Sequence, residues 1–271
     1  MFETPWIAAM TALFTWWFST GAILWLVRRA DNQGTHGHFW AVMVGLPFLG
    51  AGLYMLAESL PAAGVGGIYA GFFAALLIWG WIELAFLTGT IAGPAPRDCP
   101  PGVEGFERFL RAWGTVAYHE MLLTVSLILM AYASWGAVNM FGFWTFAVLY
   151  FARISAKLNL FLGVPKINVE FLPSPLSHLP SHFRRAPMNW LFPISITALT
   201  FAVACWLERI YSAQTAAEAA GFALLASLTG LALLEHWLMV LPLPDEKLWR
   251  WMIPAHKPQT DRLIREDRHG L

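Results

Sequence analysis

Seven stretches of this chain are too long and too apolar for a fold surrounded by water. They run over about Trp6–Val27, Phe39–Ala57, Gly66–Leu87, Ala112–Tyr132, Val138–Ile154, Trp190–Leu207 and Ala219–Leu241. A helix rising 1.5 Å per residue needs about 20 apolar residues to cross roughly 30 Å of hydrocarbon. In lipid each backbone N–H and C=O must find its partner inside the protein, and a helix does this without a neighbouring strand. The pattern therefore predicts an all-α polytopic membrane protein with seven transmembrane helices, the fifth being the shortest.

The charge content agrees. Only 13% of the residues are charged and 58% are hydrophobic, against about 25% charged in an ordinary soluble domain. The expected surroundings are a lipid bilayer, and a net charge of zero gives no reason to expect nucleic acid as a partner. Cys99 and Cys205 lie far apart, one in a polar loop and one in an apolar run, so no structural disulfide is expected. The first apolar run ends at Arg28-Arg29, and its length and the position of these charges predict an uncleaved anchor rather than a signal peptide.

Lys and Arg set the predicted orientation. Alternate connections carry Arg28 and Arg29; Arg97, Arg108 and Arg111; Arg153, Lys157, Lys166, Arg184 and Arg185; and six more after Leu241, whereas the other set carries Arg209 alone. The N-terminus is thus expected to be periplasmic and the C-terminus cytoplasmic. Residues 1–241 are expected to form a single seven-helix transmembrane domain with a cytoplasmic capping loop at 155–189, and residues 242–271 a cytoplasmic tail. Phe106, Phe109, Leu110 and Trp113 share one helical face and predict an interfacial helix over Phe106–Trp113. The tail, with Leu248, Trp249, Trp251 and Met252 beside Lys247 and Arg250, has similar interfacial chemistry. Gly67-x-x-x-Gly71, with Gly45, Gly50 and Gly52, allows close helix approach, more readily within the chain than between copies.

Ionisable residues inside spans are costly and usually functional. Glu83, the His119-Glu120 pair and the Glu235-His236 pair all fall roughly 6–12 Å below the cytoplasmic ends of their helices, counted at 1.5 Å per residue. Carboxylate with imidazole suits iron, manganese or zinc, and helix bundles can supply such ligands from several helices. Adjacent residues point about 100° apart on a helix, so each pair fits one ligand plus a supporting partner better than two ligands. Three readings stay open: a buried polar network tying helices together, a metal site, or an imidazole offered to the magnesium of a chlorophyll-type pigment. The candidate metal ligands are Glu83, His119, Glu120, His178, Glu235 and His236. Glu58, His36 and His38 are expected to be solvated.

The stretch Lys157–Phe183 is too long for a plain connection and too apolar for disorder; it reads as an ordered cap. His178 and His182 are spaced for one helix face, but Pro180 interrupts regular helix between them. The run AKLNLFLGVPKIN over Ala156–Asn168, EFLP over Glu170–Pro173 and the His178–Phe183 segment resemble the PuhE family of photosynthetic complex assembly proteins in purple phototrophic bacteria. The similarity extends to chain length, span number, Tyr118-His119-Glu120 and Glu235-His236. It implies a multi-pass protein of the bacterial inner or intracytoplasmic photosynthetic membrane. Its implied role is in assembly of reaction-centre or light-harvesting complexes, or in bacteriochlorophyll supply, with subunits of those complexes as partners. Asn159, Glu170 and His178 match the family pattern, whereas Pro180 and His182 depart from it. With His119 and His236, those three matching residues form the expected cofactor-binding set, for a bacteriochlorophyll-type tetrapyrrole or for iron or zinc. A metal-dependent oxidoreductase acting on a tetrapyrrole or isoprenoid, and a scaffold without ligand, are the alternatives.

Overall fold

The computed structural model describes residues 3–167, 169 and 172–242. Its long elements are α1 (Pro5–Asp31), α2 (Gly34–Ser59), α3 (Val65–Leu87), α4 (Gly105–Ala133), α5 (Phe141–Leu162), α6 (Leu191–Ser212) and α7 (Ala216–Leu238). Each coincides with one apolar run, and each is long and apolar enough to span a membrane. Among the described residues the only extended pairing is an isolated bridge between Val164 and Arg185. The fold is thus the expected seven-helix one, that of a multi-pass membrane protein. The tail's interfacial residues lie outside the described part.

Two segments differ from the sequence reading. Phe106–Trp113 is no separate interfacial helix but the opening turns of α4. Gly105, at φ +59°, makes the turn, and no proline follows to break the helix before the apolar run. Phe106, Leu110 and Trp113 remain exposed. Likewise α5 carries Leu158, Leu160 and Phe161, and ends only where Gly163 takes φ +127°.

Helices α3 and α7 are the most enclosed. Around them Phe72, Leu123, Phe146, Leu224 and Leu228 form the main core, with Trp79 edge-on to Phe146 at 5.3 Å. Glycine allows the closest contacts: a Cβ on Gly71 would lie 3.0 Å from the Gly142 nitrogen, and one on Gly45 2.9 Å from Trp81. These small residues serve packing within the chain. Gly50 faces open space.

Helix α1 packs beside α7 and α2, and α5 lies between α3, α4 and α7. Antiparallel neighbours bring the C-termini of α1, α3, α5 and α7 to one end, where the α5–α6 connection sits. The two ends of that connection meet. Val164 N–H donates to Arg184 O at 3.1 Å and Arg184 N–H to Leu160 O at 3.1 Å, as in compact loops whose termini are close. Between them lie two short 3-10 turns, Ser174–Leu176 and Leu179–His182.

The connection returns to α6 through Asn189. Its Oδ1 accepts the N–H groups of Leu191 at 2.9 Å and Phe192 at 3.0 Å, while Nδ2 donates to Gly163 O at 2.8 Å and Asn159 Oδ1 at 3.1 Å. Asn189→Ala is expected to destabilise the protein by about 1–2 kcal/mol, the usual range for removing a helix-capping side chain. Thermal unfolding in detergent would check this, and an unchanged transition would contradict the assignment.

Candidate functional site

The polar residues of α3, α4 and α5 meet near the loop end of the bundle. Glu83 Oε2 accepts a hydrogen bond from the Arg153 guanidinium at 2.8 Å. Glu120 is ion-paired with Lys157. Arg153 and Lys157 stand four residues apart on α5, one helical turn, and both lie over the ring of Phe86, at 5.9 and 4.9 Å from its centroid. Two carboxylates are therefore balanced by two cations, as desolvated charges require.

His119 stands among them and is fully buried. Its ring packs on Phe86 with centroids 4.2 Å apart, and its Nε2 lies 3.7 Å from Glu83 Oε1, beyond hydrogen-bond length. Neither ring nitrogen has a partner, and Glu83 Oε1, Glu120 Oε2 and Arg153 Nε are also buried without one. Buried polar atoms are normally satisfied. Others among the described residues are on Arg28, Ser134, Asn139, His178 and His182, but only at His119 are both nitrogens of one fully buried ring without a hydrogen bond.

The backbone fixes where His119 sits. The α3–α4 connection docks directly on α4, with Ala95 N–H donating to Gly114 O and His119 N–H to Ala92 O, both at 3.0 Å. Gly93 makes this approach possible. A Cβ there would lie 2.3–2.6 Å from the backbone of Gly114, Thr115 and Val116.

The other described candidates hydrogen-bond to residues outside this cluster. His236 is buried with both nitrogens engaged: Nδ1 bonds to Ala232 O at 2.8 Å and Nε2 to the Ser155 hydroxyl at 2.8 Å, tying α7 to α5. Glu235 is exposed, and its carboxylate accepts the Trp16 indole N–H at 3.2 Å. Asn159 is fully buried and donates to Ser155 O at 2.9 Å and Ser195 Oγ at 3.0 Å, which makes it a joint between α5 and α6. His178 is buried in the cap; burial, with His182 beside it, pushes its imidazole below the ordinary histidine value. Glu170 lies outside the described residues. His38, expected to be solvated, is instead buried and bonded to Asp31 at 2.7 Å. The short turn after α1 folds the start of α2 back against it.

The model of the DUF3623 family, described as a protein of unknown function, matches residues 2–260. The chain belongs to the DUF3623 family. A Rhodobacter capsulatus protein named "Uncharacterized 30.4 kDa protein in puhA 5'region" is 57% identical over 253 residues, covering 93% of this chain and 92% of that one. No solved structure matches this DUF3623 chain.

Arg153 and Lys157 are the residues that sequence reasoning placed wrongly, as charges at a helix end and in a loop. Their i, i+4 spacing just beyond the aromatic stretch of α5, at the level of Glu83 and Glu120, was the available signal. Their presence bears on what this DUF3623 site can hold. Among the described residues no group of three or more His, Cys, Asp or Glu side chains is arranged for a metal ion, and the carboxylates nearest His119 are already neutralised by cations. A macrocycle on His119 Nε2 does not fit either in this arrangement, because Glu83 Oε1 stands 3.7 Å from that nitrogen and Phe86 covers the ring.

Proposed function

We propose that this protein supports assembly of photosynthetic reaction-centre or light-harvesting complexes, or their bacteriochlorophyll supply, from within the photosynthetic inner membrane. The observation that carries the proposal is the 57% identity to a protein whose name places it in the puhA 5' region. The resemblance of the cap to the PuhE family points the same way. On this reading the basic, cap-bearing end of the bundle faces the cytoplasm, where the Lys and Arg count puts it.

Within that role we assign the working site to His119 and its surroundings. Glu83–Arg153 and Glu120–Lys157 explain themselves as ties between helices. His119 does not, because a tie would bond its nitrogens. A buried imidazole with two idle nitrogens, 3.7 Å from an idle oxygen of Glu83, suits a group that gains its partners from a guest.

The test uses a phototrophic host lacking its own copy, complemented with wild type or His119→Ala. With both proteins at equal abundance, the variant is expected to lose most of the near-infrared absorbance of the assembled pigment–protein complexes. Full complexes in the uncomplemented strain would refute the assembly role. Normal complexes with His119→Ala would reduce the cluster to a structural tie.

A further inference from the structure

Residues 97–99 of the α3–α4 connection and residues 178–182 of the cap lie against each other. Leu176 and Leu179 seat the cap on Phe86 and Ala92, and polar contacts align the two segments. Ser181 Oγ accepts the Cys99 N–H at 2.9 Å and donates to His178 O at 2.7 Å. The Arg97 carbonyl is 3.0 Å from His182 Nε2. Two imidazoles of the cap, Asp98 and Cys99 are thereby brought to one place.

The hydrogen bonds fix the tautomer of each ring. A carbonyl only accepts, so His182 carries its proton on Nε2 and leaves a lone pair on Nδ1. His178 is bonded to the backbone of Pro175, which has a carbonyl but no N–H to offer, so its proton lies on Nδ1 and its lone pair on Nε2. Both lone-pair nitrogens, His178 Nε2 and His182 Nδ1, are buried without a partner, in residues only 8% and 4% exposed. The rings are close enough for His182 to act on His178, and the Asp98 carboxylate acts on His178 as well. Burial favours the neutral form of His178, the form that a metal binds. An imidazole that gives one N–H to a backbone carbonyl and keeps the other nitrogen bare is oriented as metal-ligating histidines are.

We propose that His178 Nε2 and His182 Nδ1 bind one divalent cation of the zinc type between the cap and the α3–α4 connection. Two nitrogens with a neighbouring thiol or carboxylate suit zinc, whereas calcium and magnesium take oxygen ligands. Only the two nitrogens are preset, since no three such side chains converge among the described residues. Asp98, exposed, or Cys99, half-buried, completes the set by turning its side chain on binding, and water fills the last position. The ion joins the cap to the connection whose Ala92 carbonyl holds the backbone of His119. The site stands whether or not His119 takes part in assembly.

Zinc alone is the probe, added to untagged full-length protein in detergent after stripping with a chelator. Competition with a chromophoric chelator is expected to show one zinc per chain bound at micromolar concentration or below, and the bound ion is expected to raise the unfolding temperature. His178→Ala and His182→Ala should each weaken binding by about tenfold or more, since even the loss of an outer partner of a ligand costs about 10–100-fold. Exposed His36 is the control, and His36→Ala should bind as wild type does. X-ray absorption of the zinc-loaded wild type should show two imidazole ligands, a measurement that holds even where a histidine variant fails to fold. No zinc bound at micromolar concentration would overturn the site, because the bare nitrogens would then be met by water only. Binding that survives both histidine substitutions would overturn it too, as would fewer than two imidazoles around the ion.

Discussion

Lys157→Ala is expected to cost about 3–5 kcal/mol and to lower the amount of protein in the membrane severalfold. Glu120 is only 3% exposed and its ion-paired oxygen faces Lys157, while its other oxygen has no hydrogen-bond partner. Removing the cation leaves a buried carboxylate without its ion pair, and breaking a buried pair from one side carries a penalty of this size. The double variant Glu120→Gln with Lys157→Met removes both charges, and should recover most of the loss. Thermal unfolding in detergent and quantified membrane abundance measure the effect. A Lys157→Ala protein as stable as wild type would show that the pair does not hold α4 to α5.

Gly93→Ala is expected to destabilise by about 3 kcal/mol, near the upper end for overpacking, although it adds a single methyl group. Most added methyls meet the movable ends of side chains. This one would meet the carbonyl of Gly114 at 2.3 Å and the carbonyl carbon of Thr115 at 2.4 Å, which cannot yield without moving α4 itself. The Ala95–Gly114 and Ala92–His119 bonds would then open, freeing the backbone that positions the imidazole. Gly114→Ala is the control: its Cβ would meet only the Ala95 methyl, at 3.3 Å, which predicts a smaller effect. Equal loss in the two variants would contradict the close-approach argument. Faster diethyl pyrocarbonate labelling of His119 in Gly93→Ala than in wild type, read by mass spectrometry, would tie the connection to the site.

The candidate site was half legible before folding. Glu83, His119 and Glu120 could be put at one depth because a helix converts residue number into height. Height says nothing about which way a side chain points around the bundle. His236 at a similar level proved to bond Ser155, and Glu235 faces outward to Trp16. Asn159, brought forward by the cap motif, serves the α5–α6 joint. Arg153 and Lys157 were read as topology signals, since a Lys or Arg near a span end usually is one.

What the sequence alone determined is the number, type and approximate extent of the helices. Lipid leaves the backbone one local solution, and a run of about 20 apolar residues announces it without reference to any other part of the chain. Only the tertiary structure decided which charges neutralise which, that Gly93 brings a connection onto α4, and that the cap closes over Phe86. Those facts depend on helix rotation and on contacts between residues such as Asp31 and Ser174, 143 positions apart. No local pattern encodes such a distance.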